Sequence, residues 1–196
     1  MNITNAEYFT FNVDNSLLLV GQTGTGKSVL EDKYLERLIS SHTPDEVMFV
    51  LLDMTGVDFW DIRENHPDYI LEDIKLDAEK GLELLERFAA TVNERLETRT
   101  STPLLVLCIE ECDMAALDQK RFDGALMKIN GIAKEANVKV IFSTSRPAPD
   151  VLSKSLISSF DVILAGNLVD SDYGYLGIQK PQEHNRYDFL VTTKEA

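Results

Sequence analysis

The sequence predicts an α/β fold in which a mostly parallel central sheet is covered by helices on both faces. Short apolar runs alternate along the chain with segments of helical periodicity, as in βαβ units. These runs are apolar at nearly every position, which is typical of strands that are buried on both faces. With 196 residues and 44% hydrophobic content, the chain is long enough for one domain with a substantial core.

The apolar runs and the spacing of apolar residues give the expected elements. Strands are predicted at residues 16–20, 47–52, 104–109, 138–143 and 162–165, with further candidates at 8–13 and 189–191. Helices are predicted at residues 27–39, 77–97 and 122–136, and residues 60–69 indicate an irregular connection or a short helix. We expect one domain over residues 1–196, with an N-terminal edge segment at 1–15, a core at 16–172, and a C-terminal loop and strand at 173–196.

A glycine-rich loop, called the P-loop below, separates the first core strand from the first helix. Its sequence is Gly21-Gln22-Thr23-Gly24-Thr25-Gly26-Lys27-Ser28, the pattern GxxxxGK[ST]. The glycines let backbone N–H groups turn inward around phosphate oxygens, and the helix N-terminus adds partial positive charge. We expect Lys27 to reach the β- and γ-phosphates and the Ser28 hydroxyl to bind Mg²⁺. The loop, together with Val29, is therefore predicted to bind a nucleoside triphosphate with Mg²⁺.

Two adjacent acids follow the apolar run at residues 104–109. An acid at the carboxyl end of a buried parallel strand lies at the crevice where α/β sheets bind ligands. We expect Glu110 to hold Mg²⁺ through its waters and Glu111 to orient and deprotonate the attacking water. The competing interpretation is two solvated carboxylates that open a loop. The continuous apolar strand before them favours the chemical role.

The choice between GTP and ATP rests on the later strands. Asp53-Met54-Thr55-Gly56 matches the DxxG pattern of Ras-like GTPases. Guanine specificity would need an [NT]KxD loop at a strand end, and the near match Ile74-Lys75-Leu76-Asp77 begins with a side chain that cannot hydrogen-bond the base. Thr144 and Ser145 instead end the fourth core strand, where additional-strand ATPases have a polar sensor. Together with Glu111, they favour an ATPase.

Several segments resemble the FtsK/SpoIIIE-type motor domains, and the resemblance covers about residues 16–172. TSRP at residues 144–147 with DVL at 150–152 is similar to the family's T-Q-R-P…D-V-I segment, and the P-loop is similar to GxTGSGKS. The residues TPDEVMF at 43–49 resemble TPEEVRF, and Glu94-Arg95 falls where the family has an E-R pair. The resemblance implies a RecA-like core, ATP between the subunits of a hexameric ring, and translocation of double-stranded DNA. The family also includes type VII secretion ATPases.

Three departures from this family affect the expected site. Glu110 replaces the usual aspartate, and Ser145 replaces a glutamine, which leaves Thr144 as the candidate γ-phosphate sensor. Lys134 stands where the family has an arginine that it donates to a neighbour's ATP, so Lys134 is the first candidate for a cation supplied in trans. Lysine lacks the planar fork that grips a phosphoryl group bidentately. Alternative candidates near the same predicted helix are Lys120, Arg121 and Lys128.

Composition limits the partners. The net charge of −14, from 19 lysines and arginines against 33 aspartates and glutamates, disfavours nonspecific attraction to DNA or to anionic lipid. No apolar run approaches the ~20 residues of a membrane span, so we expect no direct membrane insertion and a cytoplasmic protein. Two functions remain open: an ATP-driven ring that moves DNA or a protein, and an ATP-binding assembly module that hydrolyses little. The acidic balance and Lys134 favour the module, whereas the P-loop and Glu111 favour the motor.

Overall fold

An eight-stranded sheet crosses the part of the chain that the computed structural model describes, residues 2–5, 16–111, 113–183 and 185–193. Its strands are β1 Asn2–Asn5, β2 Leu17–Val20, β3 Val47–Asp53, β4 Ile70–Lys75, β5 Leu104–Glu110, β6 Val138–Thr144, β7 Val162–Ala165 and β8 Asp188–Thr193. The strand order is β1-β8-β7-β2-β6-β5-β3-β4. The strands from β7 to β4 run parallel, and β8 pairs antiparallel with both β7 and β1.

The strand predictions are confirmed for the five central strands, each within one residue of its expected bounds. The candidate at residues 189–191 lies inside β8, and the candidate at 8–13 lies outside the described residues. Strands β1 and β4 were not predicted from the sequence. Positions along β4 alternate between half-buried and exposed. Such an edge strand lacks the continuous apolar run that marks a strand covered on both faces.

The helices are α1 Lys27–Ser41, α2 Trp60–Asn65, α3 Ala78–Thr98, α4 Asp113–Ile132, α5 Lys154–Ile157 and α6 Asp170–Leu176, with a 3₁₀ turn at Pro67–Tyr69. The predicted helix at 122–136 was wrong in its bounds. It begins at Asp113, contains a kink at Asp118 (φ −153°, ψ 88°), and ends at Ile132. Ala133 and Ala136 lie in the turn that follows α4 and are buried there. Their apolar spacing therefore resembled one more turn of helix.

The helices cover both faces of the sheet, as predicted. Leu17 and Leu19 of β2 face the layer that contains α1, where Leu30, Leu35 and Leu38 are buried. The alternate β2 positions face the layer that contains α3 and α4. Successive side chains of a strand point to opposite faces, so a strand between two helical layers must be apolar throughout. Among the described helices, none is both long and apolar enough to cross a membrane.

The parallel register brings the carboxyl ends of four strands to one edge of the sheet. Val20 pairs with Thr144 of β6, Ser143 pairs with Glu110 of β5, and Glu110 pairs with Asp53 of β3. The P-loop leaves β2 at this edge, and Glu111 follows β5 there. Ligands of open α/β sheets bind at such an edge. The fold therefore gathers the segments that carry the predicted chemistry.

Candidate functional site

The P-loop joins β2 to α1 through a backbone that only glycine adopts without strain at two positions. Gly24 has φ 81° and Gly26 has φ 95°. Gly26 is the N-cap residue of α1, and no side chain caps the first N–H groups of this helix. Uncapped N–H groups at a helix start carry partial positive charge and can donate hydrogen bonds to an anion. The loop thus has the backbone of a phosphate cradle.

The neighbouring strands and the loop's own side chains hold it in place. Gly21 N donates to the Thr144 carbonyl at 3.3 Å, and Gln22 N donates to the Asn167 carbonyl at 2.9 Å. Thr25 Oγ1 donates to the Gln22 carbonyl at 2.8 Å. The Lys27 ammonium donates to the Gly21 carbonyl at 2.9 Å, and the Lys27 side chain is buried. The Lys27 ammonium therefore lies against the backbone of the P-loop.

A cleft of about 350 Å³ opens beside the loop. It brings together residues that are far apart in the sequence, namely Thr23, Gly24, Gly26, Lys27, Ser28, Val29, Thr55, Val57, Asp58, Glu110 and Glu111. Lys27 and Ser28 from the P-loop thus share one cavity with both predicted acids. A cation, a hydroxyl and two carboxylates in one cleft are the groups that phosphoryl transfer with Mg²⁺ requires.

Glu110 faces a second buried acid, Glu31 of α1, which the sequence analysis missed. Glu110 is 2% exposed and Glu31 is 1% exposed, and neither carboxyl oxygen of Glu31 has a hydrogen-bond partner among the described residues. Burial is the main cause that raises the pKa of Glu31 well above its usual range and the pKa of Glu110 to about 7. The negative charge of Glu110 also raises the pKa of Glu31, because two buried carboxylates repel each other.

Glu31 had a visible signal in the sequence. It lies one helical turn after Lys27 and on the same stripe as the buried residues Tyr34 and Leu38. An acid on the core-facing stripe of a helix is uncommon because burying a charge is costly. An acid on the buried stripe of the helix that follows the P-loop is therefore the sequence signal for a buried neighbour of Glu110.

Glu111 is held by the end of β6. Its backbone is in the left-handed region with φ 58°, a conformation that costs energy for a residue with a side chain. Glu111 Oε2 accepts a hydrogen bond from Thr144 Oγ1 at 3.1 Å, and Oε1 accepts one from Ser145 N at 2.8 Å. The predicted base and the predicted sensor are therefore in direct contact.

Asp53, which begins the DxxG pattern, is fully buried and fully bonded. Its Oδ1 accepts from Thr55 Oγ1 at 2.7 Å and from Gly56 N at 2.7 Å, and its Oδ2 accepts from Arg63 Nη1 at 3.0 Å. Arg63 also forms a two-bond ion pair with Asp73 of β4. Asp53 thus stabilises the turn after β3 and does not line the cleft, whereas Thr55 of the same pattern does.

The candidate cations on α4 and in the turn after it do not line this cleft. Lys134 is exposed in the turn before β6, and β6 runs from there towards the P-loop, so Lys134 lies at the opposite edge of the sheet. Arg121 is paired with Glu79 at 2.8 Å and with Glu86 at 2.9 Å. Lys120 and Lys128 line a separate cavity of about 390 Å³ that Glu86 of α3 also lines. None of these residues lines the P-loop cleft of its own chain.

The parallel sheet, the P-loop and the acidic strand end together define a P-loop ATPase domain. The model of the FtsK/SpoIIIE family matches residues 2–102 of this sequence. The chain belongs to the FtsK/SpoIIIE family.

Curated relatives agree with this assignment. The chain is 25% identical over 182 residues to the DNA translocase FtsK of Borreliella burgdorferi, an alignment that covers 79% of this chain and 22% of that protein. It is 24% identical over 175 residues to the DNA translocase FtsK of Streptococcus pyogenes serotype M3, covering 76% of this chain and 22% of that protein. The chain thus spans about a fifth of the length of these relatives.

Solved structures show the same fold at low sequence identity. EssC (ATPases 2 and 3) from Geobacillus thermodenitrificans superposes with a TM-score of 0.75 at 15% identity, over 95% of this chain and 39% of that one. The genome packaging NTPase B204 from Sulfolobus turreted icosahedral virus 2, in complex with ATP-gammaS, gives a TM-score of 0.62 at 16% identity, over 93% of this chain and 94% of that one. These likenesses support the P-loop ATPase architecture.

Proposed function

We propose that this chain binds and hydrolyses ATP with Mg²⁺, and that residues 16–172 form its ATPase core. The observation that carries the proposal is the single cleft lined by Lys27, Ser28, Glu110 and Glu111. Lys27 neutralises charge on the terminal phosphates, and the N–H groups of the P-loop hold their oxygens. Glu111, fixed by Thr144 and Ser145, orients the attacking water and accepts its proton. Thr144 contacts the γ-phosphate as the sensor.

The donor set fits Mg²⁺. Ser28 supplies a hydroxyl oxygen and Glu110 a carboxylate oxygen, which are ligands for a hard cation that keeps several of its waters. Glu110 Oε1 is buried and has no hydrogen-bond partner among the described residues, so it is free to accept a bond from a metal-bound water. When bound, Mg²⁺ would neutralise charge on the β- and γ-phosphate oxygens.

At the level of the assembly, we propose a homo-oligomeric ring, hexameric as in the family, that acts on double-stranded DNA in the cytoplasm, where ATP is available. The relatives named DNA translocases support the substrate. A role for Lys134 at an ATP site would require a neighbouring copy, because Lys134 lies at the far edge of the sheet from the cleft of its own chain. The net charge of −14 favours a second candidate, an ATP-binding assembly module that hydrolyses little.

Nucleotide binding is tested first by calorimetry with ATP and Mg²⁺. Loss of the charge-assisted contact in Lys27→Ala is expected to weaken ATP binding by about 10- to 100-fold. Lys33→Ala, an exposed lysine on the same helix, is the matched control and is expected to bind ATP like the wild type. Unchanged binding by Lys27→Ala would refute the phosphate cradle. Preference for GTP over ATP would overturn the choice of nucleotide.

Turnover separates the motor from the module. ATP hydrolysis is measured with and without double-stranded DNA, at several protein concentrations. A motor is expected to be stimulated by DNA. Nucleotide-dependent association without DNA-stimulated turnover would favour the assembly module.

A further inference from the structure

The connection between α6 and β8 reaches the P-loop with two adjacent side chains. Arg186 Nε donates to the Gly24 carbonyl at 2.9 Å. A side-chain carbon at Gly24 would lie 2.6 Å from Arg186 Nη2, and one at Gly26 would lie 3.5 Å from Cδ1 of the Tyr187 ring. Both residues therefore lie directly against the loop. Neither belongs to the wall of the acidic cleft.

The strand order places this contact on the opposite side of the loop from the acids. β2 lies between β6 and β7, with β5 beyond β6 and β8 beyond β7. Glu110 and Glu111 come from the β5 end, whereas Arg186 and Tyr187 come directly before β8. A nucleotide whose terminal phosphates lie beside Lys27 and the acids must extend its base away from them. The β7–β8 side of the P-loop lies away from these acids, so a base extended towards it would meet Tyr187.

The Tyr187 side chain has the properties of a base-stacking group. It is 55% exposed although it is aromatic, and the Arg186 guanidinium carbon lies 5.6 Å from its ring centroid. An arginine over an aromatic ring restricts the ring's orientation at little entropic cost. Aromatic faces bind nucleobases by stacking, whichever base is present. A half-exposed, oriented ring beside a phosphate cradle is suited to the base of the same nucleotide.

We propose that Tyr187 stacks on the purine base of the bound nucleoside triphosphate and that Arg186 is a positioning residue, which holds Tyr187 against the P-loop through Gly24. The inference rests on the proposed nucleotide site and adds the recognition of the base. Stacking scales with ring area, so it favours purine over pyrimidine nucleotides without distinguishing adenine from guanine.

The test compares ATP with inorganic tripolyphosphate, which has the phosphates without the base, by calorimetry on the whole chain. Tyr187→Ala is expected to weaken ATP binding by between about 5-fold and about 100-fold and to leave tripolyphosphate binding unchanged. Tyr187→Phe keeps the ring and is expected to bind ATP like the wild type. Arg186→Ala is expected to weaken ATP binding alone, and Arg186→Lys, which can still donate to the Gly24 carbonyl, is expected to restore it.

Leu71→Ala is the matched control, because Leu71 is 49% exposed on the distant edge strand β4 and should not alter either ligand. Thermal melting shows that each variant is folded. The inference is overturned if Tyr187→Ala binds ATP normally, or if it loses ATP and tripolyphosphate equally. Failure of the nucleotide site itself appears separately, as a Lys27→Ala variant that keeps its affinity for both ligands.

Discussion

Thr144 Oγ1 donates a hydrogen bond to Glu111 Oε2 at 3.1 Å, across the ends of two neighbouring strands. The same threonine oxygen accepts a bond from Arg146 N at 3.2 Å, so the hydroxyl is fixed from both sides. A group that contacts the γ-phosphate would thereby also set the position of the acid that activates water. In the proposed reaction, sensing of the phosphate and proton abstraction depend on one hydrogen bond.

The first prediction follows from this contact. Glu111→Gln is expected to keep ATP and Mg²⁺ binding but to lower turnover by about 100-fold or more, because an amide cannot accept the proton of water. Thr144→Val should also lower turnover, and Thr144→Ser should retain most of it since the hydroxyl remains. Steady-state hydrolysis and calorimetry measure the two effects. If Thr144→Val and Thr144→Ser were equally impaired, the hydroxyl would not be the important group.

The second prediction separates Glu110 from its neighbour. Glu110→Gln is expected to raise the Mg²⁺ concentration needed for tight ATP binding, because a neutral amide attracts the hydrated cation less strongly than a carboxylate does. Titration of Mg²⁺ at fixed ATP measures this shift, and Glu111→Gln is the comparison that should show little of it. Equal and mild effects at both acids would mean that neither has the proposed role.

A third prediction concerns the turn after β3. Arg63→Ala removes the ion-pair partner of the buried Asp53 carboxylate, and loss of one partner of a buried pair costs about 3 kcal/mol. The free energy of unfolding, measured in urea, should fall by about that amount. Arg87→Ala is the control, because its pair with Glu72 is exposed on both sides and should contribute less than about 1 kcal/mol. Similar losses for both variants would show that burial does not distinguish the two pairs.

Much of this architecture could be predicted from sequence because buried parallel strands and the P-loop leave strong local patterns. The five central strands were predicted to within one residue. The edge strand β4 was missed because its polar residues belong to an exposed face, and the start of α4 was missed because Asp118 interrupts the helix.

The site was predictable where its residues lie in the P-loop or at a strand end. Lys27, Ser28, Glu110 and Glu111 were placed together by the alternation of strands and helices, and the structure brings them to one cleft. Arg186 meets Gly24 through a contact between residues 162 positions apart, which no local pattern reveals.

The fourth prediction uses the buried pair of acids. The pKa of Glu31 is well above its usual range, mainly through burial, so between about pH 5 and pH 7 the folded chain binds more protons than the unfolded chain. Stability from this group is therefore greatest at low pH and is lost as the pH rises, by at most about 1.4 kcal/mol per pH unit for one proton. The groups that face Glu31 are Asp32, Cys108 and Glu110.

Glu31→Leu should make this slope shallower without removing it, because the Glu110 carboxyl keeps a raised pKa, and it should stabilise the chain at pH 7 since an apolar side chain of similar size has no ionisable group to bury. Urea unfolding at pH 5, 6 and 7, without nucleotide or Mg²⁺, measures the slope. A Glu31→Leu variant with the same slope as the wild type would contradict the assignment. Glu36→Leu, an exposed acid on the same helix, is the control and should leave the slope unchanged.

The last prediction tests the ring through Lys134. If Lys134 reaches a neighbour's γ-phosphate, turnover per chain should rise with protein concentration, Lys134→Ala should lower it, and Lys134→Arg should raise it, because an arginine finger contributes roughly 10³–10⁵ in rate where it operates. Mixing provides the decisive measurement. Lys134→Ala and Glu111→Gln are each expected to be nearly inactive, yet a mixture forms interfaces with an intact Glu111 on one chain and an intact Lys134 on the next. Partial recovery of hydrolysis in the mixture is expected. No recovery, together with turnover that is independent of concentration and of both Lys134 substitutions, would instead describe a monomeric nucleotide-binding domain in which Lys134 is an ordinary solvated lysine.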